Sequence, residues 1–408
     1  MKNFLTSILS ILVAVATVAY KYLIFLLILF SVSCNHKKVA IETGNIAHLQ
    51  FENPKDAALK TPPIYKSVDI VPLEITSDCV IGEIQTVETC DSMIFVSDQY
   101  ALYVFNKEGK FLNKIGNKGE GPDEYIGFNA FYLDKQNKTV IILDAGKPKC
   151  LRHDFSGKFL NSIPLEQGIT NMVQQAKIDK NGDIMLNYML FYQMHIAYRV
   201  ITGEKEKKVK EMPEISYNPI KTTNYGQSLS RNHMTNTDDG DIDFIMPLCD
   251  TVFSYSDGKI KTKYIVDLPA PMPPREKFIC SAPDNSFITI LSKFCADGYF
   301  SGFFSIFETK DHIYLEYKYK GIFSAYYLGN KNTLKGNYHV SVYNKTISEI
   351  PFFRVIHSTD DVFVSIESPY NLLVIKDALE ESAELKKFRD ILKSLDEEDN
   401  PVLFFYHF

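Results

Sequence analysis

Tryptophan is missing from the chain altogether, and so are the short motifs that announce chemistry. There is no His-Glu-x-x-His and there are no closely paired cysteines, which removes the common zinc sites. There is no Gly-x-Ser-x-Gly, so nothing marks the nucleophile elbow of a hydrolase domain. The glycine-rich stretch 116–125 carries Lys118 but lacks Gly-Lys-Ser/Thr and is not followed by a helical pattern, which excludes a phosphate-binding P-loop. Beyond Cys34 the remaining cysteines are Cys79, Cys90, Cys150, Cys249, Cys280 and Cys295, scattered too widely for a disulfide scaffold, and most read as small buried apolar residues. A formal net charge of −6 excludes nucleic acid as a partner.

What is present describes a globular protein with ample core: 45% hydrophobic residues, 13% aromatic and 23% charged. With 24 Tyr and 29 Phe, the aromatics are those that favour strands. A closed all-β ring can absorb this length as one domain.

The amino end differs from the rest. Residues 1–33 carry only Lys2 and Lys21 as charges, and apolar runs fill 4–20 and 23–30 before Ser31-Val32-Ser33-Cys34. A basic start, an apolar stretch and small residues before a cut make a secretory signal. The second run alone is too short to cross a hydrocarbon layer of ~30 Å as a helix. This ending resembles a bacterial lipoprotein signal, in which cleavage precedes a cysteine that receives a diacylglyceryl group; the resemblance implies lipidation at Cys34 and attachment to the membrane. Ser31 stands where leucine is usual, and an uncleaved anchor or an ordinary signal are the alternatives. The expected layout is a signal over 1–33, an anchor and linker over 34–66, and the folded part over 67–408. Loss of the signal leaves 42 basic against 50 acidic residues. Asn35-His36-Lys37-Lys38 lacks the acidic residues associated with surface display in related lipoproteins, so a periplasm-facing place in the cell envelope is expected.

From Ser67 onward, short alternating apolar runs separated by turns dominate. Strands are expected over 93–98, 101–105 and 110–115, joined by tight turns, and again over 139–144, 150–155 and 158–163. Gly-Lys-Phe-Leu-Asn recurs word for word from Gly109 and from Gly157. A period of 40–50 residues with several strands per unit is the signature of a propeller blade. Degraded copies follow over 182–201, 251–260, 312–328 and 361–366. A helix is expected over 377–395, with Asp377 as its cap, before a final strand over 402–407. The proline-rich stretch 269–292 fits no blade and reads as a surface insertion over one rim. Since a ring cannot leave open edges, 402–407 is expected to pair with the early strand 68–75. The expected fold is therefore an all-β, six-bladed β-propeller whose terminal strands share one blade, with one helical insertion near the carboxyl end.

Several stretches resemble the 6-bladed β-propeller lipoproteins of Gram-negative gut-type bacteria, distant relatives of NHL-repeat proteins. They are Val71-Pro72-Leu73-Glu74 before Ile81-Gly82, the repeated Gly109-Lys110-Phe111-Leu112, the loop 116–125 and the ending Asp399-Asn400-Pro401-Val402-Leu403. Gly119, Gly121, Pro122, Glu124 and Tyr125 form the most specific piece, with Asp123 where glycine is usual. The resemblance implies the fold and an envelope location, and carries over no catalytic residue.

Candidate sites follow. The loop containing Gly116, Gly119, Gly121, Pro122, Glu124 and Tyr125 is expected to link the first two blades. Asp98, Asp144, Asp154 and Asp250 stand at strand ends. They either cap turns or converge on the channel to hold calcium, as in lactonase propellers, although calcium needs six to eight oxygens at one point. No cofactor is expected beyond that weak calcium candidate. His153, His195, His233, His312, His339 and His357 are scattered. Tyr188, Phe191 and Tyr192, with Phe300, Phe303, Phe304 and Phe307, either form a sugar-stacking platform or pack between blades, the latter being the commoner use of such rings. The function expected is a lipid-anchored binding or scaffold module for a glycan, small ligand or envelope protein. The alternative is a hydrolase or lactonase with acidic residues at the channel.

Overall fold

Short strands with buried, alternating faces account for almost all of the regular structure. The computed structural model describes residues 46–52, 65–165, 173–188, 198–202, 208–211, 232–246, 249–273, 293–300, 302–319, 323–340, 347, 349–383 and 385–408. These lie in one compact unit, Ile41–Phe408. Cys34 and the signal, Phe191 and Tyr192, and residues 274–292 of the proline-rich stretch are outside the described residues.

Strand β1 (Ala47–Phe51) precedes β2 (Ser67–Pro72). A first antiparallel sheet follows from β3 (Thr86–Cys90), β4 (Met93–Ser97), β5 (Leu102–Asn106) and β6 (Phe111–Ile115). The short parallel pair β7 (Asn117–Lys118) and β8 (Glu124–Tyr125) leads to a second sheet of β9 (Phe128–Asp134), β10 (Thr139–Asp144), β11 (Lys149–Asp154) and β12 (Phe159–Pro164). A third comprises β13 (Val173–Ile178), β14 (Ile184–Tyr188), β15 (Tyr198–Thr202) and β16 (Lys208–Glu211). Two further four-stranded runs are β17 (Met234–Asn236), β18 (Ile242–Ile245), β19 (Thr251–Ser256), β20 (Lys259–Val266), and β21 (Phe303–Glu308), β22 (His312–Tyr319), β23 (Phe323–Asn330), β24 (Lys335–Val340). The last sheet holds β25 (Val355–Ser358), β26 (Val362–Glu367) and β27 (Val402–His407), and takes β2 as its fourth strand. The arrangement is propeller-like: β3, β9, β13, β17, β21 and β25 touch one another in that order, and β25 returns to β3.

The recurring Gly-Lys-Phe-Leu-Asn opens the last hairpin of the first and second sheets. Asn106 Oδ1 accepts the amides of Glu108 and Lys110, and Asp154 Oδ1 those of Ser156 and Lys158, so each turn is capped by its own side chain. Gly109 then sits at φ +84°, where an added Cβ would come within 2.2 Å of the Pro72 carbonyl oxygen. The glycine satisfies both the left-handed turn and the close approach of β2.

The two ends of the chain meet in the last sheet. β2 pairs antiparallel with β27 from Ser67↔His407 to Pro72↔Val402, so the strand expected over 68–75 starts one residue earlier and ends at Pro72. The polar bracket around this junction is Asn400, whose Nδ2 donates to the carbonyls of Glu74 (2.8 Å) and Cys79 (3.0 Å) and whose Oδ1 accepts from the Ile81 amide (2.9 Å).

Two expectations need correction. Residues 47–51, assigned to the linker, form a strand inside the fold: β1 runs parallel to β20 (Ala47↔Tyr264) and then to β24 (Gln50↔Lys335), merging two antiparallel runs into one nine-stranded sheet. Leu49 is fully buried there, and the Tyr327 hydroxyl donates to the Gln50 carbonyl. The helix expected over 377–395 is broken. Helix α1 (Pro369–Ile375), capped by Ser368, passes into a 3-10 turn at Lys376–Ala378, and α2 (Lys386–Ser394) starts later without a side-chain cap. Asp377 lies in the 3-10 turn. Leu379 leaves the helix because it bridges to Ile347: the Ile347 amide donates to Ala378, and the Glu380 amide to Ile347. Apolar side chains from both helices, including Leu372, Phe388 and Leu392, pack against Phe404 and Tyr406 of β27. Other cores lie between neighbouring sheets and contain Cys79, Cys90 and Cys150. Among the described residues no helix is long and apolar enough to cross a membrane.

Candidate functional site: the polar mouth of the central channel

Several strands nearest the axis place polar side chains on the central space, such as Glu88, Lys177, Thr235 and His357, whereas the next strands out, such as β4 and β10, are almost wholly apolar. A strand turns alternate residues to opposite faces, so β3 sends Val87 into a core while Glu88 stays with the polar lining of the axis. A cavity of about 920 Å³ opens at one end of this axis. Its walls come from β3, the end of β9, β13, β17 and β25, from Phe307 of β21, and from the turns after β3, β9, β13, β17 and β25. Every one of the inner strands, or the turn that follows it, thus reaches the same space.

At the wall of that cavity lies a buried ion pair. Lys177 Nζ donates to Glu88 Oε1, and the two side chains are 9% and 8% exposed. Burial is the largest single influence and works against the charged carboxyl, but Lys177, His357 and Lys135 together outweigh it and hold Glu88 at about 2. His357 stands 3.7 Å from the other Glu88 oxygen and exchanges a 3.0 Å hydrogen bond with the Thr89 hydroxyl. Burial lowers His357 to about 3, so its ring is neutral near pH 7.

Hydrogen bonds continue around the axis from sheet to sheet. Gln175 donates to the Met234 carbonyl (2.7 Å) and accepts from the Met234 amide (2.9 Å). Asn232 donates to the Ile306 carbonyl (3.0 Å), while Arg354 reaches Glu316 Oε2 at 2.8 Å and Ser305 donates to the same oxygen at 3.0 Å. The belt ties neighbouring sheets together around the axis. A second buried charge group, Asp243, Glu308, Lys263 and Lys331, lies between β17–β20 and β21–β24. Burial and the neighbouring Glu308 push Asp243 well above the usual carboxylate range, whereas the two lysines hold Glu308 below it against burial.

The sequence candidates lie elsewhere. Asp98 accepts the amides of Tyr100, Ala101 and Gly82; Asp144 accepts those of Ile126, Gly127 and Gly146; Asp154 caps its hairpin; Asp250 accepts from Thr251 Oγ1. Each serves its own turn, and the four do not converge. Among the described residues no group of three or more His, Cys, Asp or Glu side chains is placed to hold a metal. In the glycine loop, Glu124 Oε2 accepts the Gly121 amide (2.8 Å), Gly119 N donates to the Tyr125 carbonyl (3.0 Å), and the buried Tyr125 donates to the Tyr100 carbonyl (2.8 Å). Lys149 braces Pro122 and Glu124 through their carbonyls, and a Cβ on Gly116 would crowd Ile142 and Tyr125. Tyr188, Phe300, Phe303 and Phe304 are buried in cores, so they present no platform; Phe307 alone among the described rings of those two clusters reaches the cavity.

Reading the sequence missed Glu88 and Lys177 and left His357 among scattered histidines. The available signal was a charged residue within each of two short strands, Thr86–Cys90 and Val173–Ile178, that otherwise looked buried.

A family model described as a domain of unknown function, DUF4934, matches residues 44–407 and so includes β1. No curated protein matches the chain. Among solved structures, a protein of Bacteroides fragilis NCTC 9343 named as exported is 18% identical, with a TM-score of 0.67 over 88% of this chain and 99% of that one. A member of the DUF4221 family from Bacteroides vulgatus ATCC 8482 is 11% identical, with a TM-score of 0.49 over 84% of this chain and 96% of the other. At these identities the first likeness shows the fold alone.

Proposed function

The chain belongs to the DUF4934 family, a domain of unknown function, and on that footing we propose that it is a lipid-anchored, extracytoplasmic, six-bladed β-propeller that binds a ligand in the mouth of its channel. The observation that carries the reading is the 920 Å³ cavity to which all six inner strands or their turns contribute. Its size falls in the ~300–1,000 Å³ range of small-molecule pockets. Convergence of separate strands on one polar space is how a propeller assembles a site, since each strand needs to supply only one or two side chains.

The count of six rests on treating the nine-stranded sheet as two blades fastened along their outer strands by β1, with β2 completing the last blade beside β27. Export is supported by the signal pattern of 1–33, and lipid attachment at Cys34 by the small residue before it. A periplasm-facing position follows from the basic, acid-free residues after the anchor. The glycine loop 116–125 serves as a structural link, its glycines required by tight packing on Glu124 and Tyr125. No cofactor is assigned, and no specific observation favours hydrolysis.

Two measurements test this reading. Metabolic labelling with a palmitate analogue should mark the wild-type protein and spare Cys34→Ala, which should leave the membrane fraction. Compounds and envelope proteins captured by the anchored protein should be lost on Gln136→Trp, which fills the cavity from an exposed turn. Capture that ignores this substitution would refute a channel-mouth site.

A further inference from the structure

We propose that the channel mouth selects a hydroxyl-rich ligand of saccharide chemistry and rejects anions. The proposal rests on the channel mouth being the binding site and adds its chemical selectivity. Three observations on the cavity point the same way.

First, the interior offers no unpaired cation to an anionic ligand: Lys177 is paired with Glu88 and Lys180 with Asp241. Glu88 and Lys177 satisfy each other, and both are buried. An incoming carboxylate would have to part a desolvated pair to reach Lys177, which is far costlier than bonding to the pair from outside. Second, the rim is acidic. Asp238, Asp239, Asp360 and Asp361 come from two turns that open onto the cavity, and the exposed Lys135 stands on another. Such a rim lowers the local concentration of anions. Third, the remaining wall offers donors and acceptors in close alternation. Gln136, Asn137, Asn181, Asn236, Ser358 and Thr359 line the space from four places, with the amide nitrogens of Asn137, Asn181 and Asn236 held by Asp134, Asp257 and the Ile178 carbonyl so that their side chains are fixed. Amide and carboxylate groups side by side require a partner that both donates and accepts at short intervals, which is what successive hydroxyls do. Apart from His357, Phe307 is the one aromatic ring among the described lining residues, so the wall offers a lipid or a steroid few apolar partners.

The experiment is calorimetric titration of the full-length protein in detergent. Neutral hexasaccharides of glucose, mannose, xylose and N-acetylglucosamine are compared with hexagalacturonate as anion and with fully deacetylated chitohexaose as cation. At least one neutral probe should bind. Hexagalacturonate should bind at least tenfold more weakly than the best neutral probe, whereas the acidic rim should leave the deacetylated probe bound at least as well as the N-acetylglucosamine one. Gln136→Trp should abolish that binding, and Glu88→Gln should weaken it by about 10- to 100-fold, the loss associated with a buried charged hydrogen bond. Should Glu88→Gln fail to fold, as a lowered melting temperature would reveal, Gln136→Trp decides alone because its turn is exposed. No binding by any neutral probe overturns the selectivity. Tighter binding of hexagalacturonate than of every neutral probe, still lost on Gln136→Trp, also overturns it while leaving the site in place. Neutral binding that survives Gln136→Trp removes the channel-mouth site itself.

Discussion

Replacing Lys177 by methionine isolates the interaction on which the interior of the channel depends. In the folded protein Glu88 is held at about 2 against an ordinary value of 4.5. That difference of about 2.5 pH units corresponds to roughly 3 kcal/mol of preferential stabilisation of the charged carboxylate. The sign is that of a depressed carboxyl: the contribution is complete above pH ~4.5 and disappears as pH falls toward ~2. Lys177→Met removes the ammonium while keeping the aliphatic stem, and leaves a carboxylate with 8% exposure facing burial alone. Removing one partner of a buried pair costs about 3–5 kcal/mol. The assay is urea unfolding of wild type, Lys177→Met, Glu88→Leu and the double variant at pH 7, repeated down to pH 4. Lys177→Met should lose about 3–5 kcal/mol, and the double variant should recover most of it because no buried charge remains unpaired. Acidification should now favour Glu88 in its protonated form, so the deficit of Lys177→Met should shrink as pH falls. A loss below about 1 kcal/mol, or a deficit independent of pH, would refute the view that this pair is desolvated and coupled.

Other consequences are as direct. Asn400→Ala removes one hydrogen bond to each of three backbone groups at the junction of the chain ends and should cost about 2–4 kcal/mol in denaturant unfolding. Gly109→Ala should destabilise by more than Gly258→Ala, since both glycines have positive φ but only the first has an atom within 4 Å of the added methyl; the second should cost about 1 kcal/mol. Leu49→Ala should cost about 2–5 kcal/mol by melting or urea titration, as for a core residue, whereas a residue in a loose linker would cost nothing.

Much of the fold was legible wherever strand, turn and strand fell within a few residues. β4 to β6 and β10 to β12 were visible because the capped turns at Asn106 and Asp154 punctuate strongly alternating runs. The pairing of β2 with β27 could be anticipated because an open edge in a ring is unfavourable. β1 was not legible: five residues, Ala47 to Phe51, with no flanking turn signal gain their strand identity from partners more than two hundred positions away. The helix over 377–395 was overcalled because the apolar period continues through Leu379 and Leu385 while the backbone is drawn aside by Ile347. Asp98 and Asp144 resembled channel ligands since the residue that caps an amide is also the residue that binds a cation, and only coordinates tell the two apart. The belt of Glu88, Lys177 and His357 escaped for the opposite reason: its members are single residues on separate strands, and Thr89 and His357, in hydrogen-bond contact, are 268 positions apart.

The most direct measurement is a crystal structure of the protein soaked with its tightest-binding neutral oligosaccharide. Sugar density in the cavity between β3, β13 and β25, with hydroxyls on the side chains of the surrounding turns, is the predicted result. Sugar seated on the opposite rim or on the outer strands, with the channel mouth unfilled, would contradict the account.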